Sequence, residues 1–199
     1  KEALENGKPA RTVTPENEDE AKVMKDLHLI TAKPVMYVAN VAEDMVAAPF
    51  SVDAVKQVAE LAASEHNDVV PVSAKIESEL AEMDEEEKQV FLADLGLTES
   101  GLDRVIKTGY HLLNLISYLT AGEMESRAWT IRRGTKAPAA AGEIHSDIER
   151  GFIRAEIVGY DDLIAAGSMA AAREAGKVRL EGKEYVMQDG DVVNFRFNV

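Results

Sequence analysis

Pro34-Val35-Met36-Tyr37-Val38-Ala39-Asn40-Val41-Ala42-Glu43-Asp44 carries the strongest fold signal in the chain. Val35 to Ala39 is a short apolar run bounded by a proline and a polar turn, which reads as a buried strand of a parallel sheet. In open α/β sheets a ligand lies just beyond the carboxyl ends of the strands, so Asn40 and Glu43 stand where they would face one. Asparagine also starts ordinary turns, and these four residues alone leave both readings open. Downstream, Ser51 is positioned to cap a helix that runs to about His66, with Val52, Val55, Val58, Ala59 and Ala62 at helical spacing. Asp68 to Val72 is a second apolar run, and it ends at Ser73-Ala74-Lys75. Strand, helix and strand in this order predict a parallel pair joined by a right-handed crossover.

The remaining chain arranges itself around that pair. Lys1 to Asn6 is a charged helical fragment, followed by the breakers Gly7-Lys8-Pro9 and Thr14-Pro15, so residues 1–17 read as a tail and linker from something longer. Glu18 to Leu29 predicts a helix with Val23, Met24, Leu27 and Ile30 on one face. Asp84-Glu85-Glu86-Glu87 sits at the start of another helix, where acids complement the dipole and face solvent. Gly96 closes that helix. Thr98 to Leu113 gives a connecting helix striped by Leu102, Val105, Ile106, Tyr110 and Leu113. From Asn114 the period changes: 115–119, 125–131, 152–158 and 192–197 suit strands, with Gly142 to Arg150 and Ser168 to Ala175 as the helical pieces. Strands around short helices predict an α+β domain over 114–199.

Composition narrows the function classes. With 46% hydrophobic and 29% charged residues, the 199-residue chain is of ordinary globular make-up. No apolar run approaches the roughly 18 residues of a membrane span, and the first residues are not a signal peptide. The absence of cysteine excludes disulfides, thiolate metal sites and a cysteine nucleophile, and fits a cytoplasmic protein. The formal charge of −14 is uneven: residues 1–113 carry 11 Lys/Arg against 23 Asp/Glu, and residues 114–199 carry 11 against 13. His28, His66 and His111 show no paired spacing for a metal.

Two loops at the ends of two adjacent strands, Asn40-Val41-Ala42-Glu43 and Ser73-Ala74-Lys75, carry more weight together than either does alone. They resemble the base-reading loops of the GTPase branch of P-loop NTPases, whose usual forms are Asn-Lys-x-Asp and Ser-Ala-Lys. The resemblance implies that the Asn40 amide contacts a base and braces the neighbouring loop, and that the backbone of Ser73, Ala74 and Lys75 meets the base edge. Two residues depart from the pattern. Val41 replaces the lysine, and Glu43 is one methylene longer than aspartate, which misplaces the carboxylate for the paired guanine N–H donors. Poor matching of polar groups weakens the preference, so ATP is expected ahead of GTP.

The second half adds Arg127-Ala128-Trp129-Thr130-Ile131, Gly142-Glu143-Ile144-His145-Ser146-Asp147, Gly151-Phe152-Ile153-Arg154-Ala155-Glu156 and Gln188-Asp189-Gly190-Asp191-Val192-Val193-Asn194-Phe195. In that order they resemble a TGS domain, a ubiquitin-like β-grasp module. A base loop of the form Asn-x-x-Glu followed by a TGS domain is similar to the YchF family of Obg-like ATPases. The resemblance implies the C-terminal part of a P-loop NTPase domain over 18–96, a connecting helix over 97–113 and a TGS domain over 114–199. It also implies ribosome association (the large subunit or the whole ribosome), ATP or GTP hydrolysis by the full protein, and Mg2+ held by ligands outside this chain. No Gly-x-x-x-x-Gly-Lys-Ser/Thr occurs here to cradle phosphates, so this chain alone is expected to be inactive.

Arg127, Arg132, Arg133 and Lys136, with Trp129 and Arg154, form a candidate surface for RNA phosphates, because arginine beside aromatics is the usual footprint. A solvated hairpin is the plainer reading. Asp189-Gly190-Asp191 reads as a tight turn and His145 as a helix cap. The competing function is a stand-alone β-grasp module for RNA or protein, with no nucleotide role.

Overall fold

The computed structural model describes residues 1–122 and 125–198. The chain divides into two compact units, Lys1–Leu112 and Leu113–Val199.

The first unit contains α1 (Glu2–Glu5), α2 (Glu18–Asp26), β1 (Met36–Asn40), α3 (Asp53–Ser64), β2 (Asp68–Val72), α4 (Ala74–Leu80), α5 (Glu85–Asp94) and α6 (Gly101–Leu112). β1 and β2 pair in parallel, from Met36 opposite Asp68 to Asn40 opposite Val72. Both strands therefore end at one level, with α3 as the crossover. Val41, Val46, Val55, Ile76, Leu80 and Leu92 form the core beside them. The acid run does start a helix: Asp84 and Glu87 close a capping box on α5. Glu77 on α4 caps the next helix from outside, its carboxylate accepting the Gly101 N–H at 2.8 Å and the Leu102 N–H at 3.1 Å. Position 101 has no room for more than hydrogen, since a Cβ there would lie 2.8 Å from Glu77 Oε1 and 2.9 Å from a Val72 methyl. Arg104 on α6 donates to the Pro71 carbonyl at 2.9 Å. Helix and carboxyl end of β2 are thus fixed to each other.

Two expectations need correction in this unit. Ser51 does not cap α3: Val52 occupies the N-cap without a side-chain bond, and the Ser51 hydroxyl donates to the Ala48 carbonyl at 2.7 Å. The stripes of α2 and α6 share faces as the spacing requires, yet Val23, Leu27, Leu102 and Ile106 are all about half exposed or more. Periodicity groups residues on a face without supplying what covers it.

The second unit contains β3 (Leu115–Ala121), β4 (Ser126–Arg132), α7 (Ala137–Ile144), α8 (Ser146–Arg150), β5 (Phe152–Gly159), α9 (Tyr160–Ala166), α10 (Met169–Glu174), β6 (Arg179–Glu181) and β7 (Asp191–Phe197). The sheet order is β4-β3-β7-β5-β6, with β3 and β7 parallel at its centre and the other pairs antiparallel. One face packs Ile116, Tyr118, Ile131, Ala155, Ile157, Val193 and Phe195 against alanines 137, 140 and 141 of α7. The small alanines let the helix approach the sheet, and the buried Tyr118 hydroxyl donates to the Ala140 carbonyl at 2.8 Å. On the other face Val158 and Val192 lie under Leu163, Met169 and Ala172 of α9 and α10. α9 and β6 were not expected from the sequence, and Gly142 to Arg150 is split between α7 and α8 at His145.

The turn at Asp189-Gly190-Asp191 has the predicted form. Asp189 accepts the Ser117 N–H at 2.8 Å, the Gly190 N–H donates to the Ser117 carbonyl at 2.9 Å, and Gly190 sits at φ +77°. An added Cβ would meet only Tyr160 Cβ at 3.8 Å, an ordinary contact. Gly190→Ala should therefore cost backbone strain alone, about 1–2 kcal/mol. The measurement is the urea midpoint followed by Trp129 fluorescence, which should fall; an unchanged midpoint would show that the turn is not held left-handed.

Candidate base-recognition site and basic surface

Parallel register does the first work at the candidate site. Because Asn40 is opposite Val72, the segments that follow, Val41–Glu43 and Ser73–Lys75, leave the sheet side by side. Two side-chain contacts then join them. Asn40 Oδ1 accepts the Ala74 N–H at 3.0 Å, and the Lys75 ammonium pairs with the Glu43 carboxylate. That pairing holds the Lys75 pKa above its usual value, chiefly through the hydrogen bond to Glu43. Glu79, one helical turn on, lies 4.0 Å from the same ammonium. The result is a small polar edge with an amide, a carboxylate and an ammonium.

Ser73 and Val41 contribute differently. Ser73 is buried and its carbonyl accepts the Glu77 N–H at 3.0 Å, so it starts α4 and aims the loop. The Val41 N–H donates to the Val72 carbonyl at 2.8 Å, which extends the ladder beyond the strand. Its side chain, 9% exposed, points into the core with Val46, Val55, Ile76, Leu80 and Leu92. The position where the resembling loops carry a lysine is an apolar core position here. Among the described residues no group of three or more His, Asp or Glu side chains is placed to hold a metal ion.

Arg127 and Arg132, both singled out in the second unit, do not share a face. Successive strand residues face opposite sides, so Arg127 and Trp129 share the helix-covered face of β4 while Arg132 lies on the other. At ~3.3 Å per residue, Arg127 and Arg132 are also about 17 Å apart along β4. Trp129 belongs to the packing: it stacks on Tyr118 at 6.5 Å between centroids, and its indole N–H donates to Thr120 at 2.9 Å. The Arg127 guanidinium covers that ring at 4.2 Å. Lys136 pairs with Glu184 at 2.6 Å. His145 is the cap of α8, its Nδ1 accepting the Asp147 N–H at 3.1 Å.

Arg154 stands on β5 directly opposite Arg196 of β7. Arg196, Arg173 and the buried Glu156 that both approach went unread in the sequence. Strand parity was the available signal, since residues 154 and 156 share a face.

A family model named YchF-GTPase_C, described as a protein of unknown function, matches residues 115–198. The ribosome-binding ATPase YchF of Bacillus subtilis is 61% identical over 199 residues, covering 100% of this chain and 54% of that protein. The protein of the same name from Pasteurella multocida is 53% identical over 196 residues, covering 98% of this chain and 53% of its own length. The solved structure of the Schizosaccharomyces pombe YchF GTPase aligns with a TM-score of 0.82 at 38% identity, covering 96% of this chain and 50% of that one. The chain thus spans about half the length of the curated relatives it matches. With similarity running through both units, this chain belongs to the YchF family.

Proposed function

We propose that this chain is the base-reading part of an ATP-preferring P-loop NTPase, carrying a TGS module that docks on the ribosome. The observation that carries the reading is the joined pair of loops: the Asn40–Ala74 hydrogen bond and the Glu43–Lys75 ion pair at the carboxyl ends of two parallel strands. Guanine offers two adjacent N–H donors that need a free carboxylate, whereas adenine needs a donor and an acceptor. Glu43 is engaged by Lys75, and Val41 offers no ammonium, which together disfavour guanine. The names of the relatives, ribosome-binding ATPase, support both hydrolysis and ribosome docking. The mixed sheet with its central parallel pair supports the β-grasp reading of the second unit.

The phosphate-binding loop and the Mg2+ ligands of this reading belong to residues other than these. No described helix is long and apolar enough to cross a membrane. A whole YchF protein carrying this chain should hydrolyse ATP faster than GTP, while residues 1–199 alone should show no turnover above blank. Phosphate release measured for both proteins with both nucleotides decides it. Preference for GTP, or turnover by residues 1–199, would sink the reading.

A further inference from the structure

We propose that the open edge of β4 takes an extended, acidic peptide segment as a sixth strand of the second unit's sheet. Neither the nucleotide reading nor the ribosome reading depends on this edge. β4 and β6 are the two outer strands, and they are unequal. β6 has three residues, whereas β4 has seven, all paired with β3 without a shift of register. Short or bulged edges resist an added strand, while a long regular edge presents a row of backbone groups to one. Which groups those are follows from the two ends of the β3–β4 ladder. The Gly122 N–H donates to the Glu125 carbonyl at 2.9 Å, and the Arg133 N–H to the Asn114 carbonyl at 2.8 Å. Antiparallel bonding alternates residue by residue, so 125, 127, 129, 131 and 133 bond to β3. The backbone groups of Ser126 and Ala128 therefore point away from the sheet. Both residues are exposed, and no other described strand pairs along this side.

The charges along the edge select the occupant. Residues 125–133 hold Arg127, Arg132 and Arg133 against the single acid Glu125. The three arginines are exposed, and no ion pair engages them among the described residues. Arg127 and Arg132 lie on opposite faces of β4, so an added strand is flanked by arginine on both sides. Its own side chains alternate in the same way and can answer both with acids. In such additions the main chain supplies affinity and the alternate side chains supply selectivity. Two copies of β4 side by side would instead gather six arginines against two acids, which like-charge pairing opposes. RNA carries negative charge but has no row of amides and carbonyls to continue the ladder.

The test is fluorescence anisotropy of a labelled peptide, Asp-Glu-Val-Thr-Val-Thr-Val-Glu-Asp, with residues 1–199. Only one set of alternate peptide amides can face β4. Of the two peptides methylated on alternate backbone nitrogens, one should therefore lose about tenfold or more in affinity and the other much less. Ala128→Pro removes an outward N–H that β3 does not use, a change that edge strands tolerate, and should weaken binding about tenfold. Its melting temperature checks the fold, and the methylated peptides decide even if that variant fails to fold. Arg132→Glu combined with Arg133→Glu should cost about tenfold as well, and a peptide with lysine in place of each acid should not bind. Amide exchange at Ala128 should slow when the acidic peptide saturates. Equal binding by both methylated peptides and the parent, displacement by polyuridylate as readily as by unlabelled peptide, or no binding would overturn the proposal. So would sedimentation showing that residues 1–199 pair with one another through this edge, an association that Ala128→Pro would abolish.

Discussion

Val41→Lys should destabilise the first unit by about 3 kcal/mol, the sum expected from overpacking and from taking an ammonium towards an apolar cluster. At the size of this unit that is a fall in its melting temperature of about 15 °C. The reason is local. Val41 leaves β1 as its last ladder residue, with its N–H held by Val72 and its side chain turned inward against Ile76 and Leu92. A lysine must either push its stem between these side chains or rotate the chain end and break the bond to Val72. Burial lowers a lysine pKa, so the folded variant binds its proton less tightly than the unfolded chain does. Stability then rises with pH, and the deficit should narrow as pH climbs towards ~10.4. Far-ultraviolet circular dichroism would follow the first unit, with Trp129 fluorescence as an internal reference, since the only tryptophan is in the second unit. Val41→Met should cost much less. A lysine tolerated at full stability would mean that the side chain at 41 faces solvent.

That geometry also changes how base choice can be probed. The family form Asn-Lys-x-Asp invites a double replacement at positions 41 and 43. Here the first would damage the core before it could touch a ligand. Position 43, which is partly exposed and off the core, isolates the question.

The legible and illegible parts of this chain divide along physical lines. Strand ends were legible because Asn40 and Ser73 each follow a short β-favouring run, and a parallel pair brings such ends together. The start of α5 was legible because Asp84 and Glu87 make a box from residues three apart. The inward turn of Val41 was not, because a ladder continued one residue past its strand depends on the Val72 carbonyl. α9 was missed because Tyr160 to Ala166 is a two-turn piece with half-exposed Tyr160 and Ile164, too short for periodicity to speak. Nearness in sequence does not reveal facing: Arg127 and Arg132 are on one strand yet on opposite faces. Arg154 finds its neighbour 42 positions later at Arg196, which only the β5–β7 register reveals.

Glu43→Asp in a whole YchF protein carrying this chain should raise GTP affinity relative to ATP about tenfold, the scale of one hydrogen bond to a charged group. Lys75 is what makes the length of this side chain matter. The glutamate reaches across the two loops to its ammonium, so a guanine would have to compete for the carboxylate. An aspartate, one methylene shorter, draws back towards its own loop and leaves Lys75 to Glu79, already 4.0 Å away. The freed carboxylate can then accept from both guanine donors. Lys75→Met gives an independent arm: if the ammonium occupies Glu43, removing it should also move selectivity towards GTP without shortening the acid. Competition of ATP and GTP for a fluorescent nucleotide measures both variants. A ratio unmoved by Glu43→Asp would remove Glu43 from base reading. A ratio moved by Glu43→Asp but not by Lys75→Met would leave side-chain length as the determinant and reduce the ion pair to a brace between loops.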